Sequence, residues 1–587
     1  MKFVAGTRSS KLALWQTELV LARLRAIWPD AEWSRLELST HGDEEREASL
    51  ADIGGRGAFT EKLEGSLLRG EIDFAVHSLK DLPVESSPEL TIAAVVGPRD
   101  AGEVLVSRSG RILRELPSGA VVGTSSLRRQ AQLLRVRPDL VVRSIRGNVE
   151  TRVAKVTRGD YDATLLAAAG IERLGLEEHI TERLGPETML PAPGQGAIAV
   201  QCRAEDSSTR NRLSAISDSQ LEVCTRAERS FLKTLGGGCS APVAALAVVE
   251  SRPGRGAVAD EDAAGGGQVY RLRGRVVDPG GGRTVEVEGI GLDPMVLGSR
   301  LAERALLRGA DAILAKAGVT PPPLRPVLAG KRVVVTRPRS QSDEMTAILR
   351  RLGAVVLPAP VIRIAALPGS ESTRALLNEP GRYRWIVLAS TNAVEHFFAA
   401  LEEGGPRPHG IGERIAVVGP ATAAAVEARG ERAGFVARGQ TGADLGAELP
   451  DVAGRHLLLP CAERSTEGLP ETLRERGAHV TMLPLYRTEA VPLEQSAIAE
   501  LEAGADYLLF TSGSTVAAFV DTFRGSCGEV SLRKLFERAR VACIGPSTAR
   551  VVEQNGFAGQ IVAEEHTSIG LIEAIVDFET ETGDERI

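Results

Sequence analysis

The chain is predicted to be a multidomain α/β protein, and its length and two patterns in its sequence predict it. At 587 residues it exceeds what one hydrophobic core organises, so several domains are expected. Its first half alternates short apolar strands with helical stretches, and its second half repeats a strand-to-helix pattern. A composition of 43% hydrophobic and 25% charged residues is that of a globular protein rather than a disordered one. No run approaches the roughly 20 apolar residues that span a bilayer, so no membrane partner is expected. The start, MKFVAGTRSSKLALWQTELV, lacks the basic-then-apolar plan of a signal peptide, and a cytoplasmic location is expected. A net charge of −7 argues against nucleic-acid binding.

In the first half, FVAG, DFAVHS, AVVGTSS and ATLLAAAG read as strands, while KLALWQTELVLARLRAIW has apolar positions recurring at three and four and reads as a helix. Such alternation places binding loops at strand ends. After PAPGQGAIAVQCR, residues from about 219 to 316 read as a smaller α+β unit. Its glycine run at Gly265, Gly266 and Gly267 reads as a mobile surface insertion, because glycine costs backbone entropy to order. AGVTPPPLRPVLAG at 317–330 reads as a linker, since Pro321, Pro322, Pro323 and Pro326 favour extended backbone.

Beyond the linker the sequence echoes itself. WIVLASTNAVEHFF at 385–398 resembles DYLLFTSGSTVAAF at 506–519, and IAVVGPATAAAVEARG at 415–430 resembles VACIGPSTARVVEQNG at 541–556. Two similar α/β lobes are expected. In each, strands end in Ser, Thr or Gly and pass into helices whose first N–H groups suit carboxylates.

Arginines and serines gather in loop-like segments of the first half: Arg8 and Ser10 in TRSS; Ser125, Ser126, Arg128 and Arg129 in GTSSLRRQ; Arg146 and Arg152 in RGNVETR; and Arg173 after a strand. Guanidinium groups bind carboxylates through paired, charge-assisted hydrogen bonds, although any one arginine alone would usually be a solvated surface group. In DFAVHSLKDLP an apolar strand runs into Lys80 and Asp81. A carboxylate beside cations stays ionised, stabilises a developing cation and relays protons; taken alone, Asp81 would serve as a cap or turn acceptor. His77 reads as a packed residue. In LGGGCSAP three glycines present Cys239, open to covalent chemistry, where the alternative is a small buried hydrophobe. The six cysteines, with Cys202, Cys224, Cys461, Cys527 and Cys543, show no CxxC spacing, and no metal is expected.

Taken together, TRSSKLALWQ, GGRGAFTEKLE, DFAVHSLKDLP, VGTSSLRRQ, RGNVETR, PAPGQGAIAVQCR and LGGGCSAP resemble hydroxymethylbilane synthase (porphobilinogen deaminase) over residues 1 to about 316. The resemblance implies head-to-tail joining of porphobilinogen with release of ammonia, on a dipyrromethane cofactor held through a thioether to Cys239. It implies that Asp81 is catalytic, and that Lys80, Ser126, Arg128, Arg129 and Arg146 bind the cofactor's acetate and propionate groups. Arg8, Ser10, Arg152 and Arg173 match positions that bind the growing chain, and Phe59 one near the primer. The implied fold is two lobes like those of periplasmic binding proteins, 1–96 with 197–216 and 97–196, plus an α+β cofactor-attachment domain at 217–316.

The second half offers only turn-rich strand ends, KRVVVTRP, ASTNAV, VVGPAT, LPLYRT, LFTSGSTV and CIGPSTA, without a nucleophilic triad or GxGxxG. In order and spacing they resemble uroporphyrinogen-III synthase over 331–587, with lobes at about 331–365 with 488–587 and at 366–487. That resemblance implies cyclisation of hydroxymethylbilane with inversion of the last ring, without a cofactor. Tyr486 matches a tyrosine that assists hydroxyl departure, with a packed strand tyrosine as the alternative. Ser390, Thr391, Asn392, Thr422, Ser512, Gly513 and Thr548 are candidates for binding carboxylates, or for capping helices. Hydroxymethylbilane closes spontaneously to the wrong isomer, so tethering the second enzyme would favour capture. The competing readings are a carboxylate-binding module for the first half and a noncatalytic regulatory domain for the second. A monomer is expected.

Overall fold

Strand Lys2–Arg8 sets the pattern of the first sheet: alternate side chains turn Phe3 and Ala5 inward, and the strand ends on the half-buried Arg8. Phe3 stacks on Trp33 with ring centroids 4.7 Å apart, and Trp33 meets Phe74 edge-on at 6.1 Å, so three strands share one aromatic core. The computed structural model describes residues 2–38, 60–85, 87–238, 241–250, 268–369, 376, 382–404, 411–439, 441–464 and 468–584. Cys239, Phe59 and the glycine run at 265–267 lie outside the described residues. The chain divides into two units, Met1–Leu324 and Arg325–Ile587.

The first unit holds two sheets of matching plan. One runs Glu32–Leu38, Lys2–Arg8, Phe74–Ser78, Ile198–Arg203, Leu90–Val96; the other runs Val141–Arg143, Val121–Gly123, Ala163–Ala167, Glu103–Ser107, Glu182–Leu184. In each, three parallel strands are followed by a fourth antiparallel to its neighbours. The chain passes between the sheets after Val96 and returns at Ile198. A third layer is an antiparallel meander, Val243–Glu250, Val269–Val277 and Thr284–Gly291, with helices Ser219–Thr234 and Pro294–Leu307. These helices touch closely because Gly298 lacks a side chain: a Cβ there would stand 2.4 Å from the Ala227 carbonyl oxygen.

The proline-rich segment is less free than its composition predicts. Thr320 and Pro321 lie against Gly236 of the first unit, within 3.2 Å of where its Cβ would be, and Leu328 is fully buried in the second.

The second unit has the two lobes that the repeats predict. One is an all-parallel sheet ordered Val355–Pro358, Arg332–Val335, Tyr507–Phe510, Arg540–Cys543, Ile561–Val562. The other runs Ile362–Ala366, His479–Ala490, His456–Ala462, Trp385–Leu388, Ile415–Val417, Phe435–Val436, parallel except at its first pair. Each repeat is a strand feeding a helix: Trp385–Leu388 into Thr391–Gly404 and Ile415–Val417 into Pro420–Glu427 in one lobe, Tyr507–Phe510 into Gly513–Arg538 and Arg540–Cys543 into Pro546–Gln554 in the other. Strand Ile362–Ala366, assigned from sequence to the first lobe, pairs instead with His479–Ala490 in the second. Val491 N–H donates to the Val361 carbonyl at 2.9 Å, so the crossings lie side by side just before that strand and just after its partner.

Candidate active sites

In the first unit the site begins at strand Phe74–Ser78. His77 is 5% exposed, and burial lowers its pKa to about 4, so it is a neutral packed residue. The strand passes into a tight turn, Leu79–Asp81, whose Leu79 is buried with Leu82, Ala197 and Leu221. The Leu79 N–H donates to the Ala197 carbonyl at 2.9 Å. Pinning the leucines leaves Lys80 half-buried and Asp81 exposed.

Lys80 Nζ donates to Gln195 Oε1 at 3.3 Å. Gln195, fully buried, donates in turn to the Ala101 carbonyl at 2.8 Å and to Glu103 Oε1 at 2.9 Å. Glu103, also buried, accepts from Arg128 Nη2 at 2.7 Å and Arg129 Nε at 2.9 Å. The two guanidiniums further donate to the carbonyls of Leu190 and Leu165. Burial pushes the Glu103 carboxyl up, but Arg129 and Arg128, with help from Lys80 and the Gln195 amide, hold it well below the usual carboxylate range. A single carboxylate therefore fixes both arginines.

The cations around this group are strained electrostatically. Burial, then Arg129, lowers Lys80 to about 8; burial, then Arg129 and Arg146, lowers Arg152 to about 10. Asp81 pulls both upward. Lys80, Arg128, Arg129, Arg146 and Arg152 thus share one neighbourhood with Asp81 and Glu103, in which positive charge is in excess. Of the other predicted residues, Arg8 faces His77, and Ser10 caps helix Lys11–Ile27 by accepting the Ala13 N–H at 3.3 Å. Ser126 caps helix Leu127–Val136 through the Arg129 N–H at 3.4 Å, while Ser125 Oγ bonds the Ile145 carbonyl at 2.8 Å. Arg173 bonds the Gly196 carbonyl at 2.6 Å and lies over the Trp15 ring at 5.3 Å.

In the second unit Tyr486 sits in strand His479–Ala490, 8% exposed and stacked on His396 at 4.9 Å. Its hydroxyl lies 3.3 Å from Ser390 Oγ, which also accepts the Ala393 N–H at 3.1 Å. Asn392 Oδ1 accepts from Gln341 Nε2 at 2.7 Å, a hydrogen bond between the two lobes of this unit. Thr391 is exposed at the same helix start, and Thr422 is buried at the next. In the other lobe Ser512 Oγ accepts the Thr515 N–H at 3.3 Å, Gly513 opens that helix, and Thr548 is buried in the first turn after Gly545. A Cβ on Gly513 would meet the Val551 side chain of helix Pro546–Gln554 at 2.8 Å, so this helix start packs closely against its neighbour.

The model described as porphobilinogen deaminase, dipyromethane cofactor binding domain, matches residues 3–211, and that of the porphobilinogen deaminase C-terminal domain matches 222–307. The porphobilinogen deaminase of Brevibacillus brevis is 42% identical over 54% of this chain and 97% of its own length. That of Sorangium cellulosum is 45% identical over 49% of this chain and 95% of its own. The chain belongs to the porphobilinogen deaminase family. Residues 343–573 match the model described as uroporphyrinogen-III synthase HemD. Solved structures similar to the second unit include the Thermus thermophilus uroporphyrinogen III synthase, 20% identical, covering 43% of this chain and 100% of that one with a TM-score of 0.33.

In the deaminase unit the structure gathers Lys80, Asp81, Arg128, Arg129, Arg146 and Arg152, sets Arg8, Ser10 and Arg173 on neighbouring elements, and corrects one sequence expectation. Arg128, Arg129 and Arg152 lie in helices, Leu127–Val136 and Val149–Arg158, rather than in loops, because Ser126 and Asn148 cap the chain just ahead of them. Sequence reading missed Glu103, Gln195 and Glu228. Glu228, fully buried, accepts from Arg99 at 2.9 Å, Gly194 N–H at 2.7 Å and Ala247 N–H at 2.8 Å, tying the third layer to the loop that carries Gln195. A signal was present: Leu221, Thr225, Glu228 and Leu232 fall on one helical face, so a carboxylate sits on the buried stripe. For Gln195 the PAPGQG segment carries no local signal of its role.

Proposed function

We propose that the chain catalyses two consecutive reactions of tetrapyrrole synthesis: its first unit joins porphobilinogens into hydroxymethylbilane with release of ammonia, and its second closes that product to uroporphyrinogen III. The observation that carries the first reaction is the excess of desolvated cations beside the exposed Asp81. Lys80 and Arg152 are depressed by burial and like charge, which an added polycarboxylate relieves. The dipyrromethane cofactor fits that requirement, and when bound it supplies the covalent primer on which the pyrrole chain is extended.

Lys80, Ser126, Arg128, Arg129 and Arg146 would hold its carboxylates, and Cys239 would carry its thioether. Arg8, Ser10, Arg152 and Arg173, with Phe59, would bind the incoming and growing pyrroles. Asp81 would stabilise the positive charge that develops as ammonia leaves, then take up the proton released as the new carbon–carbon bond forms. Its exposure in a turn pinned by Leu79 leaves the carboxylate reachable while fixing its backbone.

In the second unit, Ser390, Thr391, Asn392 and Thr422 in one lobe, and Ser512, Gly513 and Thr548 in the other, would bind substrate carboxylates through hydroxyls and helix-start N–H groups. Tyr486 would assist hydroxyl departure, its proton steered by Ser390. The unit's work is to fold a linear substrate so that its ends meet with the last ring inverted.

Unpaired Cys202, Cys224, Cys461, Cys527 and Cys543 suit a reducing cytosol, and among the described residues no helix is long and apolar enough to cross a membrane. We take the working form as a monomer, since each candidate site draws on one copy's residues. Intact mass of the purified chain tests the assignment: an increment the size of a dipyrrole, absent from Cys239→Ser together with ammonia release, is expected. A chain of bare polypeptide mass that still consumes porphobilinogen would overturn it.

A further inference from the structure

The all-parallel sheet of the second unit brings the ends of three neighbouring strands to one edge: Arg332–Val335, Tyr507–Phe510 and Arg540–Cys543. Ser512 and Gly513 follow the middle strand, and Gly545 follows the third. Arg337 follows the first. It is half-buried, and its Nη1 donates to Ser568 Oγ. Among the described residues it forms no ion pair.

The short segment 566–568 links the two outer strand ends of this trio. Ser568 meets Arg337, while the His566 ring lies over Gly545 so closely that a Cβ there would be 2.9 Å from its Cδ2. Arg337, propped by Ser568, therefore meets His566, the Ser512 hydroxyl and the N–H groups opening helices Gly513–Arg538 and Pro546–Gln554 at one edge.

A guanidinium held this way is costly. It has exchanged much of its hydration for one neutral hydroxyl, and burial lowers its pKa, with Glu344 the counter-charge that acts on it. Buried charges are ordinarily paired, and an unpaired one at a strand-end edge lined with donors matches an anion that arrives from outside.

We propose that Arg337 is a substrate-binding residue of the second unit, pairing with an acetate or propionate carboxylate of hydroxymethylbilane at the strand-end edge shared with Ser512 and Gly545. This rests on the synthase reading of that unit. Arg337 supplies there the one strong charge that the serines and threonines lack, so it selects a carboxylate over a neutral group of the same shape.

The test uses the full chain, supplied hydroxymethylbilane and, as a stable polycarboxylate probe, uroporphyrin III. Arg337→Gln should raise KM for cyclisation by at least about tenfold and weaken uroporphyrin binding similarly, the scale of one charge-assisted pair. Arg337→Lys should recover part of both, and Ser568→Ala, which leaves the cation in place, should change neither. Wild-type KM and uroporphyrin affinity in Arg337→Gln would overturn the proposal. So would equal losses in Ser568→Ala with a lowered melting temperature, which would make the pair structural. If the wild-type chain fails to cyclise hydroxymethylbilane, the synthase reading fails, and loss or retention of uroporphyrin binding in Arg337→Gln still decides the residue's role.

Discussion

The two units of this chain offer carboxylates different kinds of group. In the deaminase unit a buried glutamate holds two buried arginines, and a glutamine carries that order to the lysine beside Asp81. In the second unit most of the candidate groups are hydroxyls and N–H groups at helix starts, with Tyr486 backed by Ser390 and Arg337 the single cation proposed among them. The difference teaches that a charge-built site demands counter-charges deep in the fold, whereas a site built from strand ends draws most of its donors from the fold itself.

The contrast is sharpest at Asp81. Asp81→Asn should lower the rate of porphobilinogen consumption by about 10²–10⁴-fold, the span of general acid–base catalysis, while cyclisation of supplied hydroxymethylbilane stays at the wild-type rate. Loss of both activities would show that the units do not work separately.

Glu103→Gln should come next, since it strips two buried guanidiniums of their counter-charge. Breaking such a buried pair costs about 3–5 kcal/mol, and calorimetry should find the first unit's transition lowered while the second keeps its own. An unchanged melting profile would mean that the arginines do not depend on Glu103.

Lys80 gives the third contrast, in pH. Before the cofactor binds, its amine, lowered to about 8 by burial and Arg129, loses its charge as pH rises through that value, so the rate at which the bare chain takes up its cofactor should show a falling limb above about pH 8. Lys80→Arg keeps the charge and should remove that limb, whereas cyclisation of supplied hydroxymethylbilane should show no limb assignable to Lys80 in either protein.

The smallest effect is expected at Ser390. Ser390→Ala removes a cap worth about 1 kcal/mol and the partner of Tyr486, and should lower the cyclisation rate only a few-fold. A loss as deep as that of Asp81→Asn in the other unit would place the second reaction on a single side chain and end the contrast.

What could be read in the sequence follows the same division. The repeats WIVLASTNAV and DYLLFTSGST exposed the two lobes of the second unit, because strand-to-helix turns leave local signatures, and LKDLP, SSLRR and RGNVETR marked the charged cluster of the first. Glu103 and Gln195 stayed hidden, since their roles come from contacts with residues about 25 to 115 positions away, which no local pattern records. Arg337 escapes notice for the opposite reason: in KRVVVTRP it looks like a surface arginine, and only its half-burial, without an ion pair among the described residues, sets it apart. The lobe boundary near Ile362 was misplaced because a strand's partner, here His479–Ala490, depends on tertiary pairing rather than on its own residues.

The central claim, that one chain makes hydroxymethylbilane and closes it with inversion, is tested most directly by incubating the purified full-length protein with porphobilinogen and separating the uroporphyrinogen isomers after oxidation. Mainly the type III isomer is expected. Type I product alone would leave the deaminase unit active but contradict a catalytic second unit.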